Sequence, residues 1–183
     1  MKIPFLAILR HPAEAWDEAA AALPGWRRSL FGHAAPLALV PAIAWPIGHA
    51  LDPIGPEALA APPLPVSFLV TFALCLAAVA LVAAAIHALA PVFEARRQWD
   101  GAMAVAALSA TPVLLAAPLL ASAALTILVI VALFHSCFLC GLGLRRLLGC
   151  RGEDAAMYVA AVAMAASLAA FVLGGLSSAA GIL

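Results

Sequence analysis

Apolar residues run almost unbroken through five stretches of this chain, and the polar residues collect between them. The stretches cover residues 30–51, 66–93, 102–120, 121–144 and 155–183. A hydrocarbon core of about 30 Å takes roughly 20 apolar residues at about 1.5 Å of rise each. With no water in that core the backbone must satisfy its own polar groups, which a helix does within one segment. The pattern therefore predicts an all-α fold, a polytopic membrane bundle of five transmembrane helices. Residues 30–51 carry Pro36, Pro41 and Pro46, so the first span is expected to be kinked or partly unwound. The third and fourth spans follow each other closely, with Pro118 and Ser122 in a tight outer turn.

The polar positions between the spans give a direction. Lys2, Arg10, Arg27 and Arg28 precede the first span, Arg96 and Arg97 lie between the second and third, and Arg145, Arg146 and Arg151 lie between the fourth and fifth. The loop over 52–65 holds Asp52, Glu57 and a run of prolines with no base. Basic loops stay in the cytoplasm during insertion, so the N-terminus is predicted inside and the C-terminus outside. Trp26, Arg27, Arg28, Arg96, Arg97, Trp99, Arg145 and Arg146 are expected to anchor the cytoplasmic membrane surface.

Ahead of the first span, the short apolar run ending at Leu9 is followed by no small-residue cleavage pattern and is expected to be retained. Pro12 suits the first turn of a helix running to about Leu23, with Glu14, Asp17 and Glu18 where the dipole favours acids. Trp16, Ala19, Ala20 and Leu23 share one face, which reads as an amphipathic helix at the interface with Trp16 as a further anchor. The alternative is a solvated tether. On this division residues 1–29 form a cytoplasmic segment and 30–183 the transmembrane domain.

Composition agrees with the pattern: 67% of residues are apolar and 10% charged, against about 25% charged in a soluble domain. Nine acids balance nine bases, which removes a global-charge argument for nucleic acid. No Asp, Glu, Lys or Arg lies well inside a span. An intramembrane charge, at about 2.5–3.5 kcal/mol on insertion scales, is retained for function, so its absence argues against proton pumps, ion-coupled transporters and intramembrane hydrolases.

The remaining chemistry sits on neutral polar groups. Cys137 and Cys140, three apart, share a helix face, and thiolates with imidazole are ligands for zinc or copper. His135, two residues before Cys137, is about 200° around the helix. A metal would need a donor from another helix, His87 by depth; the alternative is that both cysteines are small buried hydrophobes. In the third span Pro112 cannot donate to the Leu108 carbonyl, and Ser109 or Thr111 can recapture the freed group. That is a hinge, a recognition notch or a packing kink. His33 is a further polar position in the first span. Small residues at helical spacing in the fifth span, among them Ala163, Ser167, Gly174, Gly175, Ser178 and Gly181, are a candidate helix interface.

The order of these features resembles the bacterial Yip1-domain proteins. A short N-terminal helix opens with Leu9, Pro12 and Trp16; five spans follow; the third bears Thr111 and Pro112; the fourth ends in Gly141 and Leu142 before a basic loop with Gly149. Eukaryotic relatives carry an Asp-Leu-Tyr-Gly-Pro stretch before the first span. This chain has none, so their role with vesicle-trafficking GTPases does not carry over. The resemblance implies an integral membrane protein that serves as an interaction or organising module.

Two functions stay open: a non-enzymatic scaffold, accessory subunit or membrane-organising module, and a channel or transporter for a small solute or ion, gated by the proline-kinked first and third spans. The second predicts a path lined by His33, Ser109, Thr111 and His135. No catalytic residue, cofactor or metal is expected. The expected partners are the lipid bilayer and other membrane proteins or a second copy, with no nucleic acid. The expected location is the bacterial cytoplasmic (inner) membrane.

Overall fold

A computed structural model describes residues 5–51, 63–121 and 125–179. Among these the chain is helical throughout, with short turns between elements. Two helices precede the spans: α1 (Phe5–Arg10) and α2 (Pro12–Ala21). The first span is α3 (Trp26–Ser29), a π turn (Leu30–Ala34) and α4 (Ala35–Leu51). The second is α5 (Leu64–Leu89). The third divides into α6 (Trp99–Ser109), α7 (Thr111–Ala116) and a 3₁₀ turn (Ala117–Ala121). The fourth and fifth are α8 (Thr126–Leu147) and α9 (Ala155–Ala179). Five segments are long and apolar enough to cross a membrane. The expected outer turn at Ser122, the loop over 52–62 and the far end of the fifth span lie outside the described residues.

α6 is the central helix. Every residue from Gly101 to Ser109 is buried, enclosed by α3, the π turn, α5 and α8. Its alanines make this possible: Ala102, Ala104, Ala106 and Ala107 let neighbouring backbones come close, which is how helices associate in lipid. In the fifth span Ala163 is half-buried and Ser167 exposed. The small residues from Gly174 onward lie outside the described side chains.

Two boundaries depart from the expected ones, each at a proline, and a third lies where Pro112 was expected to break the helix. The first span stays α-helical through Pro41 and Pro46, and the irregularity falls in the turn before Pro36. There the proline ring would crowd the carbonyl four residues back, and a wider turn relieves it. The second span ends at Leu89 rather than Phe93, because Pro91 cannot continue the ladder and disfavours helix for Ala90. A turn closed by Ala95 N–H on the Ala90 carbonyl (2.9 Å) follows, with Glu94 at φ 50. The third span breaks at Ala110, where ψ is −13.

The N-terminal helices belong to the bundle. α2 lies along α8, and α1 reaches α7. Trp16 is therefore not a membrane-surface anchor: it is fully buried, against Gly143 of α8. A Cβ at Gly143 would stand 2.7 Å from the indole ring. Only glycine leaves room for the ring, and the expected amphipathic face meets protein where lipid was anticipated.

Candidate functional site

Three polar side chains inside the spans, His33, Ser109 and Thr111, lie at the break in the third span. Ser109 Oγ donates to the Val105 carbonyl (2.7 Å), and Thr111 Oγ1 donates to the Leu108 carbonyl (2.8 Å). Thr111 thus supplies the donor that Pro112 lacks. Its single proton is committed to Leu108, so the hydroxyl accepts from His33 Nε2–H at 2.9 Å. Thr111 and Pro112 are buried, and Ser109 and His33 nearly so. His33 sits in the π turn of the first span. One hydrogen bond therefore joins the two helices at the place where each departs from α geometry.

The other candidates do not join this junction. His135 is half-buried with its ring 6.0 Å from Phe138 on its own helix. Cys137 is half-buried and Cys140 buried. His87 lies edge-on to Trp99 at 5.6 Å, and its Nδ1 is buried with no hydrogen-bond partner. Among the described residues no three His, Cys, Asp or Glu side chains come together as metal ligands. The arrangement can orient helices.

Arg27, Arg28, Arg96, Arg97, Arg145, Arg146 and Arg151 lie at one end of the bundle. Trp26 N–H donates to Asp100 Oδ1 at 2.7 Å, fixing the start of the first span to the start of α6. Arg96 N–H donates to the Leu148 carbonyl at 2.8 Å, and Arg151 pairs with Glu94 at 2.9 Å, so the loop between the second and third spans and the loop between the fourth and fifth hold each other. Arg146 pairs with Asp17 of α2. The Arg27 guanidinium lies 5.2 Å over the Trp26 ring. Arg27, Arg28, Arg96, Arg97, Arg145 and Arg146 are exposed, and Trp26 and Trp99 are each 37% exposed. Burial pushes the Cys150 thiol in this loop above its ordinary range; Asp154 adds to the shift and Arg145 opposes it.

The Yip1 domain family model matches residues 6–174, a segment that takes in the N-terminal helices and reaches into the fifth span. The chain belongs to the Yip1 domain family. No curated protein and no solved structure matches it. As a Yip1-domain chain with five apolar spans it is a multi-pass membrane protein whose surroundings are the lipid bilayer.

Two residues of this Yip1 domain escaped the sequence reading. Tyr158 is fully buried, donates its hydroxyl to the Ile86 carbonyl and stacks on Phe93 with ring centroids 4.5 Å apart. It latches α9 to the inner end of α5. A single tyrosine in the whole chain, placed within a span, was the available signal. Asp100 was the other. It reads as an ordinary first-turn acid of α6, and its bond to Trp26 crosses 74 positions of sequence.

Proposed function

We propose that the protein is a non-enzymatic scaffold, accessory subunit or membrane-organising module, working through other membrane proteins or self-association. One observation carries this reading. Of the buried polar side chains of the spans, His33, Thr111 and Tyr158 make hydrogen bonds that join one helix to another, and Ser109 bonds within its own. Groups used this way position a bundle for contact with others. On this reading residues 1–29 form a cytoplasmic segment that packs back on the spans and ends in α3, the cytoplasmic start of the first span, and 30–183 form the transmembrane domain. The membrane is the bacterial cytoplasmic (inner) membrane, with N-terminus inside and C-terminus outside; the arginines gathered at one end of the bundle support that orientation.

The test is mass spectrometry of the intact protein extracted with its native lipid. A stoichiometric co-purifying membrane protein, or a defined homo-oligomer, supports the reading. A lone protomer at native abundance counts against it.

A channel or transporter for a small solute or ion is the second reading, favoured by the His33–Thr111 contact between two irregular helices. Alanine at His33, Ser109, Thr111 and His135 should then change flux in liposomes at unchanged expression. Unaltered flux would remove it.

A further inference from the structure

The first span is α-helical on both sides of one wide turn. Within Leu30–Ala34 the ladder closes by Ala35 N–H reaching back five residues to the Leu30 carbonyl. A π turn holds one residue more than the α turn it replaces, so it stores a choice of register. If the extra residue is absorbed, the helix beyond it rotates by about 100° and advances by about 1.5 Å.

Three features make that change available here. Pro36 has no N–H, so the ladder is already interrupted just past the wide turn and a change of register breaks one bond fewer; an α turn would bring its ring toward the Gly32 carbonyl, a crowding that α4 already accommodates at Pro41 and Pro46. Gly32, inside the turn, has only the Arg28 Cγ near the place a Cβ would occupy, at 3.6 Å, and Phe31 is exposed. Neither resists movement. Residues 35–47 are apolar all round: Leu37, Ala38 and Ala42 are buried, and Leu39, Ile43 and Ile47 are exposed. A rotation exchanges apolar groups for apolar groups, and lipid tails solvate both alike.

What opposes rotation is polar and local. Trp26 N–H on Asp100 holds α3 at the inner end (2.7 Å). His33 Nε2–H on Thr111 holds the turn itself (2.9 Å), and Thr111 is in turn oriented by its bond to the Leu108 carbonyl. We propose that Leu30–Ala34 is a one-residue register switch in the first span, locked by the His33–Thr111 hydrogen bond. When that bond opens the turn relaxes to α and α4 rotates relative to α3. The switch goes beyond the scaffold and transport readings and holds under either.

The experiment places nitroxides at Arg27→Cys and Ile43→Cys, one on each side of the turn, in an otherwise cysteine-free chain in lipid nanodiscs. Pulsed electron resonance then reads the distance between them. Thr111→Val, which removes the acceptor, should shift or split the distance distribution, and Thr111→Ser should restore a single distance. Deleting Gly32 removes the extra residue and keeps the register beyond it. That deletion should fold, show one distance, and make the distance indifferent to Thr111→Val. An unchanged distribution in Thr111→Val, or one that still splits when Gly32 is deleted, overturns the switch. Should Thr111→Val fail to fold, the deletions decide. Loss of Gly32 should leave the thermal midpoint close to that of the parent, whereas loss of Ala106, in a helix buried on every side and with no wide turn to absorb it, should lower it sharply. Equal damage from both deletions refutes the stored register.

Discussion

In the inner half of the bundle Trp16, Met103, Leu139, Leu144 and Leu148 are no more than 1% exposed; in the outer half Ile127, Val131, Phe134, Leu168 and Phe171 are 59–80% exposed. These two sets of side chains are similar in kind and opposite in packing, while Val92 and Met157 of the inner half are exposed and Ala42 and Leu114 of the outer half are buried. In water the outer half would be untenable, since exposed apolar groups drive collapse. In lipid they are already solvated, so apolar character alone does not bring one span to another. The inner half holds together by other means. Small residues let α6 sit at the centre, an indole fills the notch over Gly143, and hydrogen bonds cross between helices at Asp100, Thr111 and Tyr158. The third span is 61% buried, and the second, fourth and fifth are 17%, 22% and 18% buried. The first span, 44% buried, lies between, and the first and third spans are also the two of lower mean hydropathy.

If the inner half carries the specificity of the fold, Trp16→Ala should have the largest effect, about 3–5 kcal/mol. Phe134→Ala and Phe171→Ala on the lipid face should stay within about 0.5 kcal/mol of the parent. Unfolding midpoints in nanodiscs check this, and a similar cost at Phe134 and Trp16 would collapse the contrast. Next comes Gly143→Ala, whose Cβ would meet the rigid indole at 2.7 Å. Overpacking of this kind costs about 1–3 kcal/mol. Gly141→Ala two residues away meets only Val159 Cγ2 at an ordinary 3.5 Å and should be neutral or better. Combining Gly143→Ala with Trp16→Ala should cost less than the sum of the two, since the clash then has no partner.

Tyr158→Phe removes the bond to the Ile86 carbonyl but leaves that carbonyl its Ala90 N–H, at 3.0 Å. A loss of about 1 kcal/mol is expected in the same assay. Asp17→Asn breaks a half-exposed pair with Arg146 and should cost under about 1 kcal/mol, shrinking further at high salt. The smallest effect concerns Cys150. Its raised thiol favours the protonated form in the folded chain. Its contribution to stability is present in full below the ordinary thiol value and is lost as pH climbs through the raised one. Alkylation of Cys150 as the sole cysteine should stay slow until the pH exceeds that of a free thiol, and a midpoint at or below the ordinary value would contradict the shift.

The spans and the side of the chain that carries the arginines were legible because both rest on periodicity and charge, which are local. So was the proline break in the third span, down to Thr111 taking the Leu108 carbonyl, since donor and acceptor lie three residues apart. Trp16 was misread for the opposite reason. Its helix is amphipathic by pattern, and a pattern does not say whether an apolar face will meet lipid or Gly143, 127 positions away by numbering. His33 and Thr111 were each picked out as polar positions, but their pairing across 78 residues was not visible.

The sequence by itself determined the environment, the number of spans and the break at Pro112, because backbone hydrogen bonding and transfer into lipid act within one segment. Tertiary structure alone decided which helix lies at the centre, where the indole is lodged and which turn of the first span is bonded to the third. In a medium as apolar as the helices themselves, those choices depend on shape and on single polar contacts between segments distant in the chain.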